Sequence, residues 1–234
     1  TNSNGDLLLT PNGTGGVALI ATNAPGSYSF SSGYAANASG NYAVAIGDTA
    51  VASNTNSVAI GDTVTASTAN STGIGTSVTA AGQYATALGY RSKADRKGEV
   101  TFSTGYFAAV GDTRCAMFHE FDTITMSSGW TSIDGGTGGM TFDSDTVAAG
   151  HVLIVGSTTG AALTIGFRID FLAENDNGTY AVVQQSVTSL DTEDTSFNAQ
   201  LAIASDKLVA QVTDAAVTSS MRWTAFWQIA QHTF

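Results

Sequence analysis

The chain has 234 residues, a formal net charge of −11, two prolines and 26 glycines. Its acidity argues against a nucleic-acid partner and against an anionic membrane surface, because both are negatively charged. A single cysteine excludes a disulfide framework within the chain. No apolar run reaches the ~20 residues needed to span a bilayer, so we expect no membrane insertion. Frequent β-branched residues and evenly spread turn residues predict an all-β protein.

The first part of the chain carries two apolar stretches, residues 7–9 and 17–20, on either side of Pro11-Asn12-Gly13. Proline and Asn-Gly pairs favour tight turns, so this part predicts a strand, a turn and a second strand. The following SSGYAANASG already shares the periodicity of the next segment, since Gly33 precedes Gly47 by 14 residues.

A repeat of 14 residues fills residues 41–96, where four blocks align without gaps. They read NYAVAIGDTAVASN, TNSVAIGDTVTAST, ANSTGIGTSVTAAG and QYATALGYRSKADR. Each block predicts a short strand, a glycine turn, a second short strand and a polar turn, which make one coil of a β-solenoid. Glycine suits the sharp turn because it tolerates positive φ. The glycines at this turn are Gly47, Gly61, Gly75 and Gly89.

Apolar residues of the repeat fall on two faces of the first strand, since Val44 and Ile46 point one way and Ala45 points the other. A coil this short encloses little volume, so both faces cannot be buried within one chain. The exposed stripe predicts a symmetric bundle of chains, and we expect a homotrimer. A monomeric solenoid closed by capping segments is the alternative. The residues of this apolar stripe are Val44, Ile46, Val58, Ile60, Ile74 and Leu88.

The motifs NYAVAIGDTAVAS and NSVAIGDTVTAS resemble the head repeat of YadA-like trimeric autotransporter adhesins, over roughly residues 31–96. The resemblance implies a left-handed parallel β-roll that forms a tight homotrimer. The same repeat also occurs in bacteriophage tail fibres, so it does not by itself separate a bacterial adhesin from a phage fibre.

Four basic residues lie at the end of the repeat and make up half of the eight Lys and Arg in the chain. We expect them to form a charged collar that limits edge-on association and pairs with carboxylates of the neighbouring chain. They also resemble the basic neck that follows adhesin heads. A site for an anion or an acidic sugar is the alternative. The four are Arg91, Lys93, Arg96 and Lys97.

The rest of the chain predicts an antiparallel β-sandwich, which gives a shaft at residues 1–97 and a head at residues 98–234. Asn177-Gly178 and Ser205-Asp206-Lys207 predict turns between neighbouring strands. KGEVTFSTGYFAAVGDTRCAMF and MRWTAFWQIAQHTF resemble segments of phage tail fibres. Trp223 and Trp227 share one face of a strand and are assigned to the core or to the trimer interface. Alternating patterns predict strands in HVLIVGST, ALTIGFRIDFLAE, TYAVVQQSV, QLAIAS, KLVAQVT and RWTAFWQIA.

Signals for catalysis are weak. His119, Glu120 and Asp122 are interpreted as solvated strand residues, and Cys115 is interpreted as a buried structural thiol. A glycosidase needs two carboxyl groups that face each other across a cleft. The acidic clusters DSD, ENDNG and DTED instead sit in turn-like contexts, where Asp and Asn are favoured for backbone reasons. We therefore expect no catalytic residue, no cofactor and no metal site.

These features predict the distal region of a phage tail fibre, located on the virion, which binds the host and is not an enzyme. Its expected partners are itself, other tail or virion proteins, and a host cell-surface glycan or outer-membrane protein. The alternatives are a trimeric autotransporter adhesin head on a bacterial cell surface, a polysaccharide depolymerase, and a structural virion decoration. Sugar recognition uses aromatic rings near carboxylates and amides. On that ground the receptor-binding candidates are Trp130, Asp134, Asn175, Asp176, Tyr180, Asp191, Glu193 and Asp194.

Overall fold

A computed structural model divides the chain into two compact units, Thr1–Arg96 and Lys97–Phe234. The predicted strands at residues 7–9 and 17–20 lie outside the described residues. The described part of the chain is built from strands, as expected for an all-β protein, and it holds no helix that could cross a membrane. The assignment of the units to a shaft and a head remains a prediction. The structure describes residues 26–105, 113–126, 128–133, 139–142, 144–158, 164–190, 196–214 and 220–233.

The first unit is a β-solenoid whose strands follow the repeat. Its strands are β1 (Phe30–Ser32), β2 (Val44–Ile46), β3 (Val51–Ala52), β4 (Val58–Asp62), β5 (Thr65–Ala66), β6 (Thr72–Thr76), β7 (Thr79–Ala80), β8 (Thr86–Tyr90) and β9 (Lys93–Ala94). The longer strands pair in parallel in the order β1-β2-β4-β6-β8, and the short ones in the order β3-β5-β7-β9. Paired residues in neighbouring coils are one repeat period apart, since Ile46 pairs with Ile60 and Ile60 pairs with Ile74. The predicted solenoid is confirmed.

The core of the solenoid contains only small side chains. Most of its buried residues are alanines, and Val64 and Val78 are its largest apolar members. Buried serines are satisfied by their own turn: the hydroxyl of Ser57 donates to the carbonyl of Asn54 at 2.6 Å. The interior of each coil therefore has no room for an isoleucine or an aromatic ring.

The predicted glycine turns have the backbone that glycine tolerates best. Gly47, Gly61, Gly75 and Gly89 have φ values between +104° and +138°. A Cβ atom on Gly61 would lie 1.8 Å from the carbonyl oxygen of Gly75 in the next coil. Any side chain at this turn would therefore collide with the backbone of its neighbour.

The second unit contains two antiparallel sheets. Its strands are β10 (Val100–Ser103), β11 (Thr113–Thr125), β12 (Thr131–Ser132), β13 (Thr146–Thr158), β14 (Thr164–Asp176), β15 (Thr179–Ser189), β16 (Phe197–Ile203), β17 (Leu208–Asp214) and β18 (Ser220–Thr233). One sheet has the order β10-β11-β18-β13-β14-β15, and the other has the order β12-β17-β16. The six strands predicted from alternation are all present.

One hydrophobic cluster draws on both sheets of this unit. Trp223 and Trp227 of β18 are fully buried in it. Of the two locations predicted for them, the core and the trimer interface, the structure shows the core. Phe197 of β16 approaches Trp223 with a ring-centroid distance of 6.1 Å. The strand β18 lies between β11 and β13 and pairs with both over almost its whole length. The last strand of the chain is thus central to the larger sheet.

Both predicted hairpin turns are present. Asn177 and Gly178 have φ values of 50° and 87° and join β14 to β15. Ser205 and Asp206 have φ values of 51° and 57° and join β16 to β17. Positive φ at both central residues is the mark of a type I′ turn, whose twist matches that of the flanking strands.

Candidate functional site

The apolar stripe of the repeat faces away from the core of its own coil. Ile46 and Ile74 are 36% and 40% exposed, whereas Ala45 beside them is fully buried. The other residues of the stripe, Val44, Val58, Ile60 and Leu88, are half-buried. Because each of these side chains stacks on its equivalent one coil away, the stripe forms a continuous apolar surface along the solenoid.

Two of the basic residues at the end of the repeat make contacts that the structure shows within the chain. The ammonium group of Lys93 lies 3.1 Å from a carboxylate oxygen of Asp95. The guanidinium group of Arg91 lies 5.8 Å from the centre of the Tyr90 ring, a distance compatible with a cation–π contact. Arg96 is half-buried and Lys97 is exposed. The expected pairing with carboxylates of a neighbouring chain remains a prediction.

The receptor-binding candidates of the second unit differ in their surroundings. Trp130 is 45% exposed just before β12, and Asp176 is exposed at the end of β14. Asn175 and Tyr180 instead meet inside the unit, where both donate hydrogen bonds to the carbonyl of Phe142, at 2.9 and 2.8 Å. Four candidates lie outside the described residues: Asp134, Asp191, Glu193 and Asp194.

The burial of Asn175 follows from the length of the hairpin turn. The predicted turn region reached from Asn175 to Tyr180, but only Asn177 and Gly178 separate β14 from β15. Asn175 therefore lies in a strand, on its inward side, and is 3% exposed. Trp130 and Asp176 are the described candidates that present their side chains to solvent.

Two interpretations of β11 are wrong. Cys115 was expected to be buried but is exposed, and Glu120 was expected to be solvated but is 4% exposed. Glu120 accepts a hydrogen bond of 2.8 Å from the indole nitrogen of Trp227. Both outcomes follow from strand alternation. Glu120 has the same parity along β11 as the buried Ala116 and Phe118, whereas Cys115 has the opposite parity. That parity was the sequence signal that could have identified the buried carboxylate.

An ion pair lies on the exposed side of β14. The guanidinium group of Arg168 donates to the carboxylate of Asp170 with distances of 2.8 to 3.1 Å. This hydrogen bond is the main cause that lowers the pKa of Asp170, and it raises the pKa of Arg168. His151 is the cross-strand neighbour of Asp170. Among the described residues, no group of three or more His, Cys, Asp or Glu side chains could hold a metal ion.

Comparison with known families identifies the repeat. Residues 24–50, 38–63, 66–92 and 80–98 match the YadA head domain repeat. The chain therefore contains YadA-like repeats, in the segment where the solenoid is observed. These matches end at residue 98, close to the start of the second unit. No curated protein matches the chain.

Solved structures give distant likenesses, and three of them are phage tailspikes. The tailspike protein gp49 of Acinetobacter baumannii bacteriophage Fri1, described as a capsular polysaccharide depolymerase, is 8% identical with a TM-score of 0.34, covering 57% of this chain and 20% of that chain. The Acinetobacter baumannii phage AM24 tailspike is 7% identical with a TM-score of 0.33, covering 70% and 34%. The Acinetobacter phage vB_ApiP_P1 tailspike is 11% identical with a TM-score of 0.24, covering 57% and 24%. The chain thus spans about a third or less of their length, and likenesses this weak carry no conclusion about its function.

Proposed function

We propose that this chain is the distal part of a phage tail fibre, that it assembles as a homotrimer, and that it binds the host surface without catalysis. In this proposal the YadA-like repeats form a left-handed roll that serves as the shaft, and the two sheets of the second unit form a β-sandwich head. The observation that carries the proposal is the apolar stripe, which faces outward from a core too small to hold it. The match to the YadA head domain repeat supports the same assembly.

Three heads on one shaft would multiply a weak contact through avidity. The proposed target is a host cell-surface glycan or an outer-membrane protein. Trp130 is the described candidate best suited to a sugar, because its half-exposed indole offers both an apolar face and a hydrogen-bond donor. The exposed carboxylate of Asp176 could accept hydrogen bonds from sugar hydroxyl groups.

The assembly is tested by light scattering on a matched pair of variants in β6. Wild type is expected to have a mass near three times 23.8 kDa. Ile74→Asp places a charge in the stripe and should yield single chains, because an unpaired charge is strongly disfavoured in a buried interface. Thr76→Asp is the control, since the two preceding coils already carry Asp48 and Asp62 in its column. A wild-type mass of one chain would refute the homotrimer.

Recognition is tested by labelling a panel of bacterial strains with the fluorescent protein. Trp130→Ala should weaken binding to the labelled strain by about tenfold or more, since three heads lose the contact together. Tyr84→Ala removes an equally exposed ring from the repeat and should bind as wild type does. Equal binding by both variants would remove Trp130 from the site, and failure to label any strain would favour a structural virion decoration.

A second candidate function is the head of a bacterial trimeric autotransporter adhesin, which the YadA head domain repeat favours equally. An antibody against the second unit separates the two, since it should label purified phage particles in one case and the bacterial cell surface in the other. The non-catalytic part of the proposal has its own test. Oligosaccharide released from host capsule by the purified protein would overturn it and make the protein a depolymerase.

A further inference from the structure

The larger sheet of the second unit has one buried face and one open face. Side chains alternate along β11, β18, β13 and β14, so that one set faces the hydrophobic cluster and the other faces away from it. The β12-β17-β16 sheet contributes to the buried side only. Many side chains of the outward set are exposed to solvent.

This open face carries large apolar side chains in register. One row of cross-strand neighbours runs from Phe121 through Thr224 and Val155 to Gly166. Leu190 closes the row, since its amide donates to the carbonyl of Gly166 at 2.8 Å. Phe121, Leu190 and Val155 are 62%, 58% and 50% exposed. Phe226 in the next row is 38% exposed. An apolar surface of this kind marks an interaction site.

The open face is also close to electrically neutral. Its outward positions on these strands hold two arginines and three carboxylates, a net charge of −1, whereas the whole chain carries −11. Copies of so acidic a chain repel each other over most of their surface. The open face is the part where close approach of another copy costs least. Its charged residues are Arg168, Arg222, Asp170, Glu174 and Asp176.

We infer that the open face packs against a second copy of this chain, an inference that rests on the proposed homotrimer. Phe102 of β10 extends the apolar part of this face. It is 44% exposed and pairs with Cys115 of β11. Cys115 pairs with Ala230, and Ala230 pairs with Ala149. Phe102 therefore lies on the same face of the second unit as Phe121 and Val155.

Cys115 is a natural reporter for this contact. It is the only cysteine, it is exposed in the single chain, and it lines an open cavity of about 530 Å³ together with Phe102 and Thr113. If a second copy covers the face, the thiol of the native protein should react with a dithiobis(nitrobenzoate) reagent at least about tenfold more slowly than that of the denatured protein, since reaction then requires local opening.

The matched control places the thiol on the other sheet. Asn198 is exposed on β16, so Asn198→Cys in a Cys115→Ser background should react at nearly the same rate in the native and the denatured protein. A perturbing variant completes the set. Val155→Arg puts a charge at the centre of the open face and should raise the reactivity of Cys115, whereas Asn198→Arg should leave it unchanged. Near-ultraviolet circular dichroism of the buried tryptophans verifies that each variant is folded.

The outcomes separate this inference from the proposed function. A particle with the mass of three chains in which Cys115 reacts at the denatured rate would overturn the inference and leave the homotrimer intact. A protected Cys115 in a particle with the mass of one chain would overturn both, because the chain would then cover its own face. Protection in the trimer that Val155→Arg relieves, with Asn198→Arg without effect, is the result that we expect.

Discussion

Gly73 is the position at which packing inside the solenoid can be tested most directly. It occupies a column that holds Ala45, Ala59 and Ala87 in other coils. A Cβ atom added to Gly73 would lie 2.8 Å from Cγ1 of Val64 and 3.5 Å from Cγ1 of Val78. The first distance is well below the ~3.5–4.0 Å at which carbon atoms pack best. Glycine is therefore favoured here by the close approach of Val64 and not by its backbone, whose φ is not positive.

The expected cost of Gly73→Ala is the difference between two effects. Overpacking of a close-packed core costs about 1–3 kcal/mol. Alanine restricts the unfolded chain more than glycine does and returns about 0.4–1 kcal/mol. We therefore expect a net destabilisation of about 1–2 kcal/mol per chain. Val64→Ala alone removes two buried methyl groups and should cost about 2–3 kcal/mol once the cavity is included.

The double variant Val64→Ala with Gly73→Ala decides the argument. The new Cβ atom then enters the space that Val64 has vacated, so the double variant should cost about 2 kcal/mol less than the sum of the single ones. Urea unfolding at one fixed chain concentration measures these values, because the stability of an oligomer depends on concentration. Gly105→Ala is the control, since no atom lies within 4 Å of its added Cβ.

Additive single effects, within ~0.5 kcal/mol, would refute the reasoning. They would mean that Val64 and Gly73 do not share a contact, and that the alignment of small and large residues across the coil is wrong. A neutral Gly73→Ala variant would have the same meaning, because it would leave no collision for the second substitution to relieve.

Three further predictions concern the second unit. Trp227→Phe should cost about 2 kcal/mol or more in urea unfolding, because the buried Glu120 loses the indole donor, while Glu120→Gln keeps an acceptor and should cost less. Gly178→Val should cost about 1–2 kcal/mol, since φ is +87° in the turn. Arg168→Gln should raise the pKa of Asp170 in a carbon-13 carboxyl titration, because Arg168 is the main cause of its depression. The lowered pKa of Asp170 contributes to the stability of the folded chain above pH 3.8. This contribution is lost as the pH falls through the pKa that Asp170 has in the folded chain.

The solenoid could be predicted from sequence because its repeat fixes pairing as well as period. Once residues 41–96 align in blocks, Ile46 must stack on Ile60, and the glycine turns follow from the same alignment. In the second unit, alternation located the strands and Asn177-Gly178 located a turn. Neither signal carries the order of strands. That β18 lies between β11 and β13 depends on contacts between distant parts of the chain, which no local pattern encodes.

The candidate site was less predictable because polar residues have several uses. Asn175 was chosen for its amide and its place near a turn, yet it holds the carbonyl of Phe142 inside the unit. Glu120 was interpreted as a solvated residue at the edge of a strand, yet its parity along β11 places it beside Trp227. In both cases the sequence did not show that the side chain lies on the buried face of its strand. For a polar residue in a strand, burial is best predicted first from its position relative to the apolar residues that alternate along that strand.

The size of the coil explains why the largest side chains of the repeat lie on its outside, and this supports the proposed assembly. In most domains the bulkiest apolar residues fill the core, but here the interior holds alanine, serine, glycine and two valines. Even one extra methyl group at Gly73 would collide with Val64. Isoleucine and leucine can therefore lie only on the outside of the coil, where a single chain leaves Ile46 and Ile74 more than one third exposed. Burying them requires another surface, and a second copy in the same register presents an equivalent stripe at the same spacing.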